Sequence, residues 1–205
     1  MVKFMFFNNY EKANKFRMKL LADHAKGIVL DVGASQLPNK FFDYSEKIKE
    51  VWMLDVKEHK AELPTKYKKV ILFDLDDLYN PLPLPDNTID TIILGEILEH
   101  LYNPFRVLKE CKRILKADGI LLISTLTPKY YLELIHMLIF SKPMGFPEHK
   151  ILFTRDQIKH MLNVLGFKIR KIIGYSFWIP LIRVGFVQTG FTLPELLTWH
   201  QIYIA

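Results

Sequence analysis

Three apolar runs of this chain end in aspartate: Leu30-Asp31, Leu54-Asp55 and Phe73-Asp74. A single acid in that position serves as a turn former or helix cap. Three in succession would line one edge of one sheet with carboxylates, which capping alone explains poorly. Carboxylates placed this way can grip ribose hydroxyls, and Asp55 follows Asp31 by 24 residues, near the spacing found in nucleotide-binding βαβ units. Gly33 stands where a tight turn is needed after the first run. A dinucleotide loop would carry further glycines so that pyrophosphate could approach a helix N-terminus. Here Ser35 and Leu37 occupy those places, and Asp31 adds negative charge beside the turn. The stretch therefore suits a cationic ligand without phosphate.

A second group of reactive side chains follows the fourth apolar run. Glu96, Glu99 and His100 stand at i, i+3 and i+4, and on a helical turn Glu96 and His100 would share a face toward the ligand edge. His100 is the first candidate for a general base, with Glu99 beside it. The competing reading is that Glu99 and His100 cap the helix or bind each other. Pro147-Glu-His-Lys150 supplies Glu148 and His149 as second candidates, or else an exposed loop pair with no chemical task. Glu-x-x-Glu-His is similar to a metalloprotease pattern that begins with histidine and needs a further ligand, so no metal is expected. His136 lies among Leu134, Ile135, Met137 and Leu138 and reads as a helix-packing residue, while His24, His59, His160 and His200 carry no pattern.

The elements that must position these groups can be read from periodicity. Strands are expected at Ile28–Leu30, Val51–Leu54, Val70–Phe73, Ile89–Leu94 and Ile120–Ile123, several of them apolar throughout, as strands covered on both faces are. Helices are expected over Glu11–Ala25, with Ala13, Phe16, Leu20 and Leu21 inward, and over Pro104–Lys116, with proline at its start and Gly119 beyond its end. Alternating strands and helices imply a parallel, doubly wound sheet. Thr154 caps a helix ending before Gly166, and Phe167–Ile173 and His200–Ala205 read as further strands. One domain over 1–205 is expected, without repeats or linkers.

Bulk properties restrict the function classes. Half of the 205 residues are hydrophobic, and 28 basic against 22 acidic residues leave a formal charge of +6. The lysines are scattered rather than blocked, a pattern of a solvated surface that does not argue for nucleic acid. The lone cysteine, Cys111, excludes an intramolecular disulfide and a cysteine-based zinc site, and its place on the apolar face of the second helix makes it a core residue. Neither greasy stretch, Ile120–Phe140 or Ile172–Val187, is free of charge and proline over a bilayer span, and the N-terminus lacks a signal peptide pattern, so a cytoplasmic protein is expected.

In their order and spacing these pieces resemble the class I S-adenosylmethionine-dependent methyltransferases, in the branch of small enzymes related to quinone-biosynthesis methyltransferases. The resemblance runs from Gly27 to Ser124: Val29-Leu-Asp-Val-Gly33, Leu54-Asp55, Phe73-Asp-Leu75, Leu82–Asp90, Gly95–Leu101 and Leu108–Gly119 follow one another as in that family. It implies a mostly parallel, seven-stranded Rossmann-like sheet with helices on both faces, and S-adenosylmethionine as cofactor. It assigns Gly33 and Ala34 to the methionine portion, Asp31 to its ammonium, Asp55 to the ribose, Asp74 and Leu75 to the adenine edge, and Gly95 and Glu96 to closing the pocket near the sulfonium. It also makes residues 126–150 a cover over the active site. Their aromatic and aliphatic side chains, with Phe177, Trp178 and Phe186, would shape an apolar pocket for a small-molecule acceptor, or pack as ordinary core or a homodimer surface. Ser35 and Leu37 depart from the family pattern. A catalytically inactive, cofactor-binding partner module is the alternative they favour.

Overall fold

A computed structural model describes residues 2–34, 38–57, 62–141, 148–175 and 197–205, with side chains described from residue 11 onward. The strands are β1 (Gly27–Val32), β2 (Ile48–Asp55), β3 (Tyr67–Leu72), β4 (Ile89–Gly95), β5 (Leu115–Leu126), β6 (Lys171–Tyr175) and β7 (His200–Ile204). The helices are α1 (Val2–His24), α2 (Pro104–Ile114), α3 (Tyr131–Phe140) and α4 (Arg155–Val164). The strands form one seven-stranded sheet in the order β3-β2-β1-β4-β5-β7-β6. β1 through β5 are parallel, and β7 runs antiparallel to both β5 and β6.

The central strands are buried because both of their faces are covered. Leu30, Ile92, Leu94, Leu121 and Ile123 pack with α2 and α4, through Leu108, Cys111, Ile158 and Leu162. Val29, Met53, Ile93 and Leu122 pack on the opposite face with Ala13, Leu21 and Ala22 of α1, as the helical spacing predicts. Cys111 is a core residue, its thiol pushed up to about 12 by burial and the nearby Glu110 charge. α2 has Asn103 as its cap, with the side chain accepting from Arg106 N–H, and Pro104 at its start. Thr154 and Gln157 form a reciprocal capping box on α4, and Gly166 follows that helix at a φ of +73°.

Register brings the functional ends together. Val32 of β1 pairs with Leu54 of β2 and Leu94 of β4, while Asp55 pairs with Leu72 of β3 and Gly95 with Ser124 of β5. The chain therefore leaves β1, β2, β3 and β4 at one level along one edge. The strand order reverses between β1 and β4, where the chains diverge and a crevice must open.

One expectation needs correction. The first helix extends to Val2, well upstream of Glu11. Within 126–150, Leu126 and Tyr130 are buried, while Leu138 is 86% exposed, Ile139 65% and Phe140 59%. Of that segment, Leu126, Glu148 and His149 line the crevice among the described residues. Met144, Phe146, Phe177, Trp178 and Phe186 lie outside the described residues, as do Ser35 and Leu37.

Candidate active site

At the reversal point lies a cavity of about 670 Å³. Gly33, Asp55, Asp74, Leu75, Glu96, Glu99, His100 and His149 line it, so eight residues from five separate sequence segments meet in one place. Asp31, Ala34 and Gly95, also expected there, do not line it.

Gly33 makes the turn out of β1 at a φ of +74°, a left-handed conformation that costs a side chain energy. Its N–H donates to Leu54 O at 2.8 Å, which binds the turn to the end of β2. A Cβ at this position would lie 2.7 Å from Cδ1 of Ile97, another lining residue. Asp55 is the last residue of β2, and its carboxylate accepts from Lys57 N–H at 3.2 Å. Asp74, beyond the end of β3, is exposed to the cavity and accepts from Asp76 N–H at 2.9 Å. Both acids thus stand at strand ends, shaped by short turns, in the wall of the cavity.

Asp31 differs because it lies within β1 rather than beyond it. It is 6% exposed, and the Tyr67 hydroxyl donates to it at 2.5 Å. That hydroxyl accepts from Asn39 N–H at 2.9 Å, and the Asn39 amide donates to Met18 O of α1. Burial drives the Asp31 carboxyl up to about 6, against the lowering effects of the Tyr67 hydrogen bond and the Arg17 charge.

The segment after β4 is not the helix that the i, i+4 spacing suggested. Glu96 takes a φ of +56°, and a single 3-10 turn follows at Leu98–His100. This left-handed break turns the chain sharply, so that Glu96, Glu99 and His100 all face the cavity instead of lying on one helical stripe. A left-handed glutamate costs of order 1–2 kcal/mol, a strain concentrated at the site.

Glu96 and Glu99 are adjacent carboxyls in different states. Burial acts to raise Glu96, but His200, Arg17 and hydrogen bonds from Ser124 and Glu99 outweigh it and hold the group below its ordinary range. Glu99 is 1% exposed, and burial, with the Glu96 charge beside it, holds it well above the ordinary range. Two like charges so close in a buried site cannot both ionise, so Glu99 keeps the proton. The Thr125 hydroxyl donates to Glu99 Oε2 at 3.2 Å.

The loop bearing His149 is tied to the same turn. The N–H groups of Lys150 and Ile151 both donate to Glu99 O, at 2.7 and 3.2 Å. His149 and His100 meet edge to face with ring centroids 4.8 Å apart. His100 Nδ1 lies 3.3 Å from Glu148 O; a carbonyl only accepts, so in the neutral ring Nδ1 carries the proton and Nε2 the lone pair. Burial, then the His100 charge, lowers His149 and favours its neutral form. One ligand atom from each of Glu99, His100 and His149 lies within 4.8 Å of the others.

Arg17, Asp76 and His200 also line the cavity and were not anticipated. Arg17 reaches across from α1 to donate to Ser124 Oγ at 3.3 Å, and Nη1 would stand 3.0 Å from a Cβ at Gly95. His200 arrives on antiparallel β7, 3.8 Å from Glu96, and is lowered chiefly by burial. Asp76 accepts from Tyr102 N–H and from Lys150 Nζ, at 2.8 and 2.9 Å. Asp76 sits beside Asp74 in Phe73-Asp-Leu-Asp-Asp77 and could have been suspected. No local pattern marks Arg17 or His200, which become site residues only through the packing of distant elements.

Residues 30–123 match the family described as a methyltransferase domain. Over that stretch the chain is similar to S-adenosylmethionine-dependent methyltransferases. It is similar to a ubiquinone biosynthesis O-methyltransferase of Glaesserella parasuis, 31% identical over 93 residues that cover 43% of this chain and 39% of that protein. The chain thus spans well under half the length of that curated relative. An uncharacterised protein of Methanocaldococcus jannaschii is 26% identical over 166 residues, 79% of this chain and 75% of its own. The fold is that of an S-adenosylmethionine-dependent methyltransferase from Archaeoglobus fulgidus, with a TM-score of 0.66 and 19% identity, over 96% of this chain and 93% of that one. Among the described residues, no helix is long and apolar enough to cross a membrane.

Proposed function

We propose that the protein transfers the methyl group of S-adenosylmethionine to an oxygen of a small, partly apolar acceptor. The observation that supports this most is the convergence of Gly33, Asp55, Asp74 and Glu96 on one cavity beyond four parallel strand ends. Its chemistry suits the cofactor. Asp55 can accept from two ribose hydroxyls, and Asp74 and the backbone of Leu75 offer partners to an adenine edge. Arg17 brings a cation suited to an amino-acid carboxylate. The acids of the lining, with Asp31 buried beneath the turn and Ala34 beside it, favour a ligand carrying an ammonium and a sulfonium over a phosphate. Gly95, packed under Arg17, leaves room for that guanidinium to reach the site.

When bound, the cofactor supplies an electrophilic methyl on a sulfonium that departs as a neutral thioether. The work left to the protein is alignment, which alone can account for much of the rate, and removal of the acceptor proton. Of the three base candidates, His100 and His149 can take a proton, whereas Glu99, held protonated by burial, cannot. An oxygen acceptor is supported by the relative named as an O-methyltransferase.

Calorimetric titration with S-adenosylhomocysteine tests the reading. Wild type should bind, and Asp55→Ala should weaken binding about 10- to 100-fold, the loss of charge-assisted hydrogen bonds worth roughly 1.5–3 kcal/mol. Absence of binding by wild type at millimolar ligand would sink the enzyme reading. Binding without methyl transfer to any of a panel of phenols and alcohols would favour a cofactor-binding module.

A further inference from the structure

We propose that Glu99, His100 and His149 form a divalent metal-ion site in the wall of the cavity. Their three ligand atoms lie within 4.8 Å of one another. Donors at about 2.1 Å from one ion stand about 3.0–3.4 Å apart at octahedral or tetrahedral angles, so side-chain movements of about an ångström close the set. The two imidazoles meet edge to face at 75°, which lets a nitrogen of each point to a common centre without the rings stacking.

The surroundings are those of a ligand set rather than of a chance cluster. Glu99 is 1% exposed, yet its Oε1 meets no donor among the described residues, and the group beside it is a second carboxyl, Glu96. A divalent ion at this oxygen would displace the proton that Glu99 otherwise holds. Each ligand is also held from behind. Thr125 donates to the other Glu99 oxygen, Glu148 O fixes the His100 tautomer with Nε2 available, and two backbone N–H groups hold the His149 loop to Glu99 O. Such outer contacts are what orient first-shell ligands.

Two imidazoles and a carboxylate suit a first-row divalent ion, with the remaining positions open to the cavity. The site stands without the methyltransferase reading, but its role rests on it. The ion would bind the acceptor hydroxyl and lower its pKa. The hydroxyl then loses its proton to solvent, its oxygen pair forms the bond to the methyl carbon, and the carbon–sulfur bond breaks with its pair going to sulfur. In this arrangement the imidazoles act through the ion rather than as free bases, and the acceptor is an oxygen nucleophile.

The test is Mn²⁺ binding to the EDTA-treated full chain, followed by the electron paramagnetic resonance of free Mn²⁺, with S-adenosylhomocysteine titrated in parallel. One Mn²⁺ per chain is expected. His149→Ala and Glu99→Gln should each weaken it by more than about tenfold, since loss of outer-shell partners alone costs that much, while circular dichroism stays unchanged. If either variant fails to fold, His100→Ala is measured on the same terms. No binding by wild type at millimolar Mn²⁺, or equal binding by the variants, overturns the site. Mn²⁺ binding without homocysteine-ligand binding leaves the site standing and overturns its role in methyl transfer; the converse result removes the metal and keeps the methyltransferase.

Discussion

The Tyr67 hydroxyl, at the start of β3, donates to the Asp31 carboxyl inside β1 at 2.5 Å, across the intervening strand β2. Burial raises Asp31 to about 6 from an ordinary 3.8. The folded state therefore holds this proton more tightly than the unfolded state, and the group costs stability as pH rises from about 4 to about 6. Above that window the cost is complete, of order 2–3 kcal/mol. Asp31→Asn keeps an acceptor for Tyr67 and removes the charge. Its melting temperature should exceed that of wild type at pH 7.5 and converge with it near pH 4. A constant difference across that range would show that Asp31 is not the titrating group.

Arg17 offers a prediction about which part of the cofactor it serves. Arg17→Ala should weaken S-adenosylhomocysteine about tenfold or more, through loss of a charge-assisted contact. Binding of 5′-methylthioadenosine, which lacks the amino-acid carboxylate, should be unaffected. Equal losses for both ligands would mean that Arg17 acts by holding Ser124 and the β4 terminus, not by touching the carboxylate.

Gly33→Ala probes the left-handed turn after β1. The positive φ should cost about 1–2 kcal/mol, read as a lower denaturant midpoint with an unchanged slope. The added carbon also drives Ile97 toward the cavity, so cofactor affinity should fall beyond what the stability loss explains. An unchanged midpoint would contradict the backbone conformation given to this residue.

Lys150 joins Asp76 at 2.9 Å and lies 3.4 Å from the centre of the Tyr102 ring, in a partly buried setting. Lys150→Met retains most of the aliphatic stem and removes the charge. A loss of about 1–2 kcal/mol is expected, from an ion pair and a cation–π contact together. The difference from wild type should narrow in high salt. A salt-independent loss would assign the effect to packing.

The legible parts of this molecule were those governed by local rules. Seven strands, the capped helices α2 and α4 and the core role of Cys111 follow from periodicity and capping, because burial on both faces writes continuous apolar runs into the sequence. Asp55 and Asp74 could be placed at the cavity because strand ends are recognisable. Asp31 could not be distinguished from them: its burial depends on Tyr67 and Asn39, which pair spacing does not reveal. The Glu96 turn failed as a helix because one left-handed residue redirects the chain, and glutamate gives no warning of it. His149, Arg17 and His200 join the site through contacts between elements far apart in sequence. The grouping of Glu99 and His100 with His149 likewise joins a turn to a later loop that no local pattern connects.

Strand β6 touches the sheet through β7 alone, which lies between it and β5. Chain order and sheet order are thus at odds: β6 precedes β7 in the chain but joins the sheet only through it. A β6 that waits unpaired gains nothing from its own ladder, so assembly of this half of the sheet should be all-or-none and slow, as non-local pairings are. Because His200 sits on β7, a chain with only β1 to β5 in place would lack that residue of the cavity wall.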